Sequence, residues 1–198
     1  KPKAPWEKDS LHRLRVIAED SLGNRSEEER LVFFAEQPEG GTVSLRDDGT
    51  VLVDGKPIFP IGLHRVKKCP ANGFSFETAA KQVAEAGFNF VHTYEQWKSP
   101  EHTAEYLGAM ERHGLMVYSE TDDSHRTNDG ATLIDHIRAL RGRKSVLAVK
   151  IGDDTYDFFT PDVVRRNHFF VKALDRNRLT SQADAMGPSY ADRYAPYA

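Results

Sequence analysis

The sequence predicts an α/β fold built on parallel strands, preceded by a short antiparallel β segment. Three observations predict it. Apolar runs recur at "IFPIGL" (58–63), "FNFVHT" (88–93), "LMVYSE" (115–120), "VLAVKI" (146–151) and "LTSQAD" (179–184). Their starts lie about thirty residues apart, the length of one strand-helix-strand unit, and stretches of helical periodicity separate them. Ahead of residue 57 the punctuation changes to Asp-Gly pairs and short alternating runs, the chemistry of hairpins.

Taken in order, "HRLRVIAED" (12–20) sets Leu14, Val16 and Ala18 against Arg13, Arg15 and Ile17. "SLGN" supplies a turn, and "ERLVFFAE" (29–36) is the second strand of the pair. Two strands alone are marginal in water, so this ribbon needs further strands or a supporting surface. "EQPEGG" (36–41) reads as a linker, which divides the chain into a β segment at 1–41 and an α/β domain at 42–198. Asp48-Gly49 and Asp54-Gly55 then separate "TVSLR", "TVLV" and "PIFPIGL". Glycine there supplies the positive φ of tight turns.

The first helix carries Phe76, Ala79, Ala80 and Val83 on one face, with Ser75 as N-cap and Gly87 past its end. Ser99-Pro100-Glu101 opens the second in N-cap, N1, N2 order, and Gly114 stops it. A shorter third helix surrounds Leu133, Ile134, Ile137 and Leu140. Thr160-Pro161-Asp162 opens a fourth, buried through Val163, Asn167, Phe170, Val171 and Leu174. Two architectures fit: an open doubly wound sheet, and a (β/α)8 barrel, which needs roughly 250 residues. From residue 57 the chain holds about five strands and four helices, so periodicity alone favours the open sheet.

Composition narrows the partners. The 27 basic and 30 acidic residues leave a net charge of −3, which gives no electrostatic reason to bind nucleic acid or an anionic membrane. The basic run "RALRGRKS" (138–145) reads as a solvated helix end. No apolar stretch approaches the roughly 18–20 residues of a membrane span, and no phosphate-cradling glycine-rich loop is present. Cys69 is the only cysteine, so the chain forms no internal disulfide.

In parallel α/β folds, ligands gather at the carboxyl ends of the strands. There the sequence places His64 and Arg65; His92, Thr93, Tyr94, Glu95 and Trp97; Glu120, Asp122 and Asp123; Asp153 and Asp154; and Asp184. Any one of these is as readily a solvated loop residue. Their recurrence after all five runs is what points to a site. Tyr94, Trp97, Tyr118 and Tyr156 add aromatic rings near the same ends, although Tyr118, inside a strand, is more simply read as core.

Four stretches carry a family resemblance: "VLVDGKPIFPIGLHR" (51–65), "KQVAEAGFNFVHTYEQW" (81–97), "YLGAMERHGLMVYSE" (106–120) and "SVLAVKIGDDTYDFFTPDVVRRNHFFVKALDRNRLT" (145–180). Together they resemble the N-terminal portion of the catalytic barrel of clan-A-like retaining glycoside hydrolases. "HRLRVIAEDSLGNRS" (12–26) in turn resembles the last strands of fibronectin- or immunoglobulin-like sandwiches. The resemblance implies a TIM-type (β/α) barrel, incomplete at about five βα units. It further implies a carbohydrate partner, no cofactor, and a secreted or periplasmic setting. An incomplete barrel exposes apolar edges and so favours self-association.

Carried over residue by residue, the family's acid/base carboxylate falls on Asp154, with Asp153 beside it. In that mechanism one carboxylic acid protonates the leaving glycosidic oxygen while a second carboxylate, about 5–5.5 Å away, attacks the anomeric carbon. An adjacent like charge raises the pKa of the acid, so the resemblance implies one of two roles for Asp153: keeping Asp154 protonated, or hydrogen-bonding the sugar. His64, Arg65, His92, Tyr94, Glu95, Trp97, Glu120, Asp122 and Asp184 are the expected substrate contacts. The chain departs from the family in three ways. Asp154 stands where Glu is usual, Val149 or Lys150 replaces a tryptophan, and the family nucleophile belongs to a seventh strand. The resemblance therefore implies a glycosidase-like chain that is inactive by itself. Two rival readings stand: a non-catalytic carbohydrate-binding or structural barrel, and a divalent-metal barrel enzyme with Asp122, Asp154 and Asp184 as hard oxygen ligands.

Overall fold

The computed structural model describes residues 10–93, 99–120, 131–152 and 160–183. The chain forms two compact units, Lys1–Gln37 and Pro38–Ala198.

The first unit is a two-stranded antiparallel ribbon of β1 (Ser10–Glu19) and β2 (Arg25–Phe34), with Ser10 opposite Phe34 and Glu19 opposite Arg25. Asp20 organises the turn. Its carboxylate accepts from the amides of Leu22 and Asn24, each at 2.9 Å, and Gly23 takes φ 83°. Arg13 pairs with Glu29 and Arg15 with Glu27 across the ribbon. These pairs are exposed, and each contributes little stability. Leu14, Val16 and Ile17 are exposed as well.

The second unit begins with a small antiparallel sheet, β3 (Val43–Leu45), β4 (Val51–Val53) and β5 (Lys56–Ile58). Both predicted turns form. Asp54 and Gly55 have φ values of 49° and 75°, the two positive values that a type I′ hairpin turn requires.

Five parallel strands follow: β6 (Gly62–His64), β7 (Phe90–Thr93), β8 (Met116–Glu120), β9 (Val146–Gly152) and β10 (Leu179–Gln182). Between them run α1 (Phe76–Glu85), α2 (Pro100–Arg112), α3 (Ala131–Leu140) and α4 (Pro161–Leu174). The sheet order is sequential from β6 to β10. A doubly wound sheet reverses its strand order at a switch point, and this one does not. The open doubly wound arrangement favoured by periodicity is therefore wrong. Each helix packs on the next, so same-handed crossovers place all four in one layer.

The capping residues behave as their chemistry requires. Ser75, Ser99 and Thr160 accept from the amides of Thr78, His102 and Val163, satisfying donors that the first helical turn leaves open. Helix α1 buries Phe76, Ala79, Ala80 and Val83. In α4 the buried stripe runs through Val164 instead of Val163, because Val164, Asn167, Val171 and Leu174 follow the helical period. Asn167 is fully buried and donates to the Ile151 carbonyl at 3.0 Å, which satisfies both groups.

The run expected as one strand at 58–63 is split between β5 and β6. Pro60 has no amide hydrogen to give a ladder. The Asn89 side chain bridges the break, accepting from Ile61 N at 2.8 Å and donating to Phe59 O at 3.0 Å. At the amino end of the sheet, Arg178 donates to the Gly41 carbonyl and to Arg143 O at 2.8 Å, tying the small sheet and the turn before β9 to the strand ends.

The two faces of the parallel sheet differ. Val91, Thr93, Val117 and Ser119 point at the helices and are buried, whereas Phe90, His92, Met116 and Tyr118 on the opposite face are half-buried. Strand β9 is buried throughout. Among the described residues no helix is long and apolar enough to cross a membrane.

Candidate functional site

The register determines which side chains share the face away from the helices. His64 is opposite His92 and His92 opposite Tyr118. One layer further toward the carboxyl ends, Glu120 is opposite Lys150 and Lys150 opposite Ser181. Directly paired residues of parallel strands point to the same side, so these form two layers on one face.

The first layer is a row of rings. His64 and His92 have centroids 4.7 Å apart, and His92 and Tyr118 have centroids 4.6 Å apart. The Tyr118 hydroxyl is hydrogen-bonded to Ser181 Oγ, reaching past β9 to β10. Tyr118 is thus not part of the helix-facing core. Arg65, the next residue after β6, has φ 62°, a left-handed conformation that costs a non-glycine residue about 1 kcal/mol. Its amide donates to the His92 carbonyl at 2.9 Å, which fixes the chain where it leaves the strand. His64 is exposed, yet partial desolvation holds its imidazole below the ordinary value, and neighbouring His92 and Arg65 push the same way.

The second layer is ionic. Lys150 Nζ donates to Glu120 Oε1 at 3.2 Å, and Glu120 Oε2 lies 3.5 Å from His92 Nε2. Lys150 is 3 % exposed and Glu120 7 %. Charges this deep persist only when paired, and removing one partner of such a pair typically costs about 3–5 kcal/mol.

Of the expected substrate contacts, the structure brings His64, His92 and Glu120 together on one face and places Arg65 at its margin. Tyr94, Glu95, Trp97, Asp122, Asp153, Asp154 and Asp184 lie outside the described residues, as do Asp123 and Tyr156. Lys150 was not among the expected site residues. A charge inside the otherwise apolar run "VLAVKI" was the available signal, because a buried lysine requires a partner. Among the described residues no group of three or more His, Cys, Asp and Glu side chains could hold a metal ion.

Among the described residues, a cavity adjoins each end of the parallel strands. One of about 410 Å³ adjoins the carboxyl end of β6, lined in part by His64, Arg65, Lys67, Phe74 and Gln82. The other, of about 540 Å³, lies at the opposite end of the strands and is lined by Glu111, Leu115, Met116, Arg143, Lys144 and Ser145. Arg143 is paired with Glu111 at 3.0 Å, and Ser145 donates to the same carboxylate at 3.1 Å.

No protein-family model matches the chain, and no curated protein matches it. Solved structures do. A calcium-binding mutant of Bacteroides uniformis β-glucuronidase 2 superposes with a TM-score of 0.53 at 14% identity, over 92% of this chain and 24% of its own. A β-glucuronidase from glycoside hydrolase family 2 gives 0.52 at 15% identity, over 92% and 20%. The β-mannanase of the blue mussel Mytilus edulis gives 0.52 at 13% identity, over 78% and 69%. The chain spans about a quarter and a fifth of the first two proteins. At these identities the likeness is one of fold: a five-stranded parallel sheet with antiparallel strands, in an arrangement shared with glycoside hydrolases.

Proposed function

We propose that the second unit is the N-terminal part of a TIM-type glycoside hydrolase barrel, incomplete at five βα units, and that it binds carbohydrate at the carboxyl ends of its strands. The observation that carries this reading is the two-layered polar face of His64, His92, Tyr118, Glu120 and Lys150. It stands where barrels of this kind hold substrate, on a sheet whose structural neighbours are glycoside hydrolases. Rings and hydrogen-bonding groups side by side suit a sugar, which offers apolar C–H faces and polar edges. The antiparallel ribbon of the first unit fits the closing strands of a preceding β-sandwich, with the domain division at 41/42.

Asp153 and Asp154 follow Gly152, the last residue of β9. In this reading Asp154 donates the proton to the leaving glycosidic oxygen and Asp153 helps to keep it protonated. Covalent retention needs a second carboxylate to attack the anomeric carbon, and the family supplies it from a seventh strand. The chain alone is then a binding unit without turnover. Calorimetric titration with a panel of oligosaccharides, alongside assays with the matching aryl glycosides, tests both parts. The expected result is saturable binding of at least one oligosaccharide and no released aglycone. No binding across the panel overturns the carbohydrate reading, and turnover overturns the inactive one.

A second reading, a barrel that binds carbohydrate without belonging to a hydrolase, is favoured by the Lys150–Glu120 pair. Lys150 stands at or beside the family's tryptophan position, and its ammonium occupies Glu120 at 3.2 Å.

A further inference from the structure

The cavity at the carboxyl end of β6 carries a charge that the chain as a whole does not. From Lys56 to Phe76 the sequence holds four cationic side chains, Lys56, Arg65, Lys67 and Lys68, and no acidic one, in a chain of net charge −3. Arg65 and Lys67 line the cavity together with the Gln82 carboxamide, and no carboxylate lines it among the described residues. Both acids of the adjoining helix α1 are paired with other cations, Glu77 with Arg112 and His113, and Glu85 with Lys81. Lys68 is taken by Glu105 at 2.8 Å. Lys67 has no ion pair among the described residues. The positive potential over the cavity is therefore not cancelled by these groups.

Apolar surface underlies the charge, from Leu63, Val66, Phe74, Ala79, Val83 and Ala86. The volume of about 410 Å³ lies within the range of small-ligand pockets. His64 belongs both to this lining and to the row of rings on the sheet face, so the cavity adjoins the face proposed to bind carbohydrate. Arg65 keeps its left-handed φ of 62° beside it, anchored by its amide on the His92 carbonyl at 2.9 Å. Strained backbone of this kind clusters at ligand clamps. A guanidinium can meet a carboxylate through two parallel N–H donors, and an ammonium adds a point charge. A neutral sugar calls for neither.

We propose that this cavity takes an anionic sugar residue, a uronate or a ring carrying a sulfate ester, with Arg65 and Lys67 as its charge contacts. The preference for an acidic saccharide rests on the carbohydrate reading of the site.

Calorimetric titration of the full chain tests it at fixed ring stereochemistry. The probes are oligouronates of the gluco, manno and galacto series, each beside its carboxyl-reduced neutral counterpart and the 6-O-sulfate of that counterpart. At least one acidic form should bind roughly tenfold or more tightly than its neutral counterpart, the scale of a hydrogen bond to a charged group. The advantage should shrink as salt rises from about 0.05 to about 0.5 M. The tighter of uronate and sulfate ester identifies the anion. Arg65→Asn keeps a residue type that tolerates positive φ, and Lys67→Gln changes an exposed side chain, so both should melt as the wild type does. Each should weaken the acidic ligand about tenfold and narrow its lead over the neutral form, a split that loss of a structural role would not produce. If Arg65→Asn does not fold, the charge reversal Lys67→Glu should abolish the lead by itself. Unchanged affinity in these variants overturns Arg65 and Lys67 as contacts. Equal binding of acidic and neutral forms overturns the charge preference and leaves the carbohydrate reading standing. Binding of no saccharide in any series overturns that reading and the preference with it. An oligoglutamate peptide that binds as tightly as the best acidic saccharide overturns the assignment to a sugar.

Discussion

Arg178 and Asp175 face each other at 3.5 Å, both buried, at the amino end of the parallel sheet. Asp175 also accepts from the amides of Gly142 at 2.9 Å and Asn177 at 3.2 Å, and Arg178 donates to the carbonyls of Gly41 and Arg143. One ion pair thus holds three chain segments: the lead into β3, the turn before β9 and the turn before β10. Arg178→Met leaves the Asp175 charge without its cation and takes the donor from two carbonyls. It should cost about 3–5 kcal/mol, read as a lowered urea midpoint. A loss below about 1 kcal/mol, the scale of an exposed pair, would show that the three segments are held by other means.

Gly62 is the second position at which a small change should be costly. It opens β6 opposite Phe90, and a β-carbon there would run into the Phe90 carbonyl group. The obstacle is backbone, which cannot swing aside as a side chain can. Gly62→Ala should therefore destabilise by about 1–3 kcal/mol or more, with faster amide exchange at Val91 and His92 as β6 detaches. A neutral effect would mean that the pairing of β6 with β7 is looser than its register implies.

Stability should fall on mild acidification. Burial holds the half-buried His168 below the ordinary imidazole value, aided by Lys172, and the exposed His64 is shifted the same way, more weakly screened from water, by partial desolvation with His92 and Arg65. A histidine depressed by folding takes up its proton first in the unfolded chain. The stabilisation is therefore complete above the unfolded value, near 6.5, and is lost as the pH falls from there through the lower folded values. Melting temperatures measured from about pH 7.5 to pH 5 should decline. His168→Gln can still hydrogen-bond Thr180, the present partner at 2.9 Å, and should flatten part of that slope. The Glu77 carboxyl, held low by Arg112 and His113, belongs to a separate and more acidic window.

Much of the second unit could be read from the sequence because its signals were local. Ser75, Ser99 and Thr160 cap the helices they were expected to cap, and β7 to β10 fall within the apolar runs or one residue beyond. Strand order was not legible. A thirty-residue period fits a sequential and a reversing sheet equally well, and the order is set by where each crossover lands. The break at Phe59-Pro60-Ile61 was legible only in part: Pro60, which cannot give a ladder bond, stands in the sequence, whereas the Asn89 carboxamide that bridges the break is remote from it. In the candidate site, strand ends pointed to His64, His92 and Glu120. Lys150 escaped because it lies within a strand, and its meaning appears only when β8 brings Glu120 alongside.

The most direct measurement is chemical-shift mapping of an oligosaccharide titrated into the labelled full chain. Perturbations should concentrate on His64, His92, Tyr118, Glu120 and Lys150, the two layers that share one face at the carboxyl ends of the strands. Perturbations confined to the opposite end, around Glu111, Arg143, Lys144 and Ser145, would contradict the placement of the site.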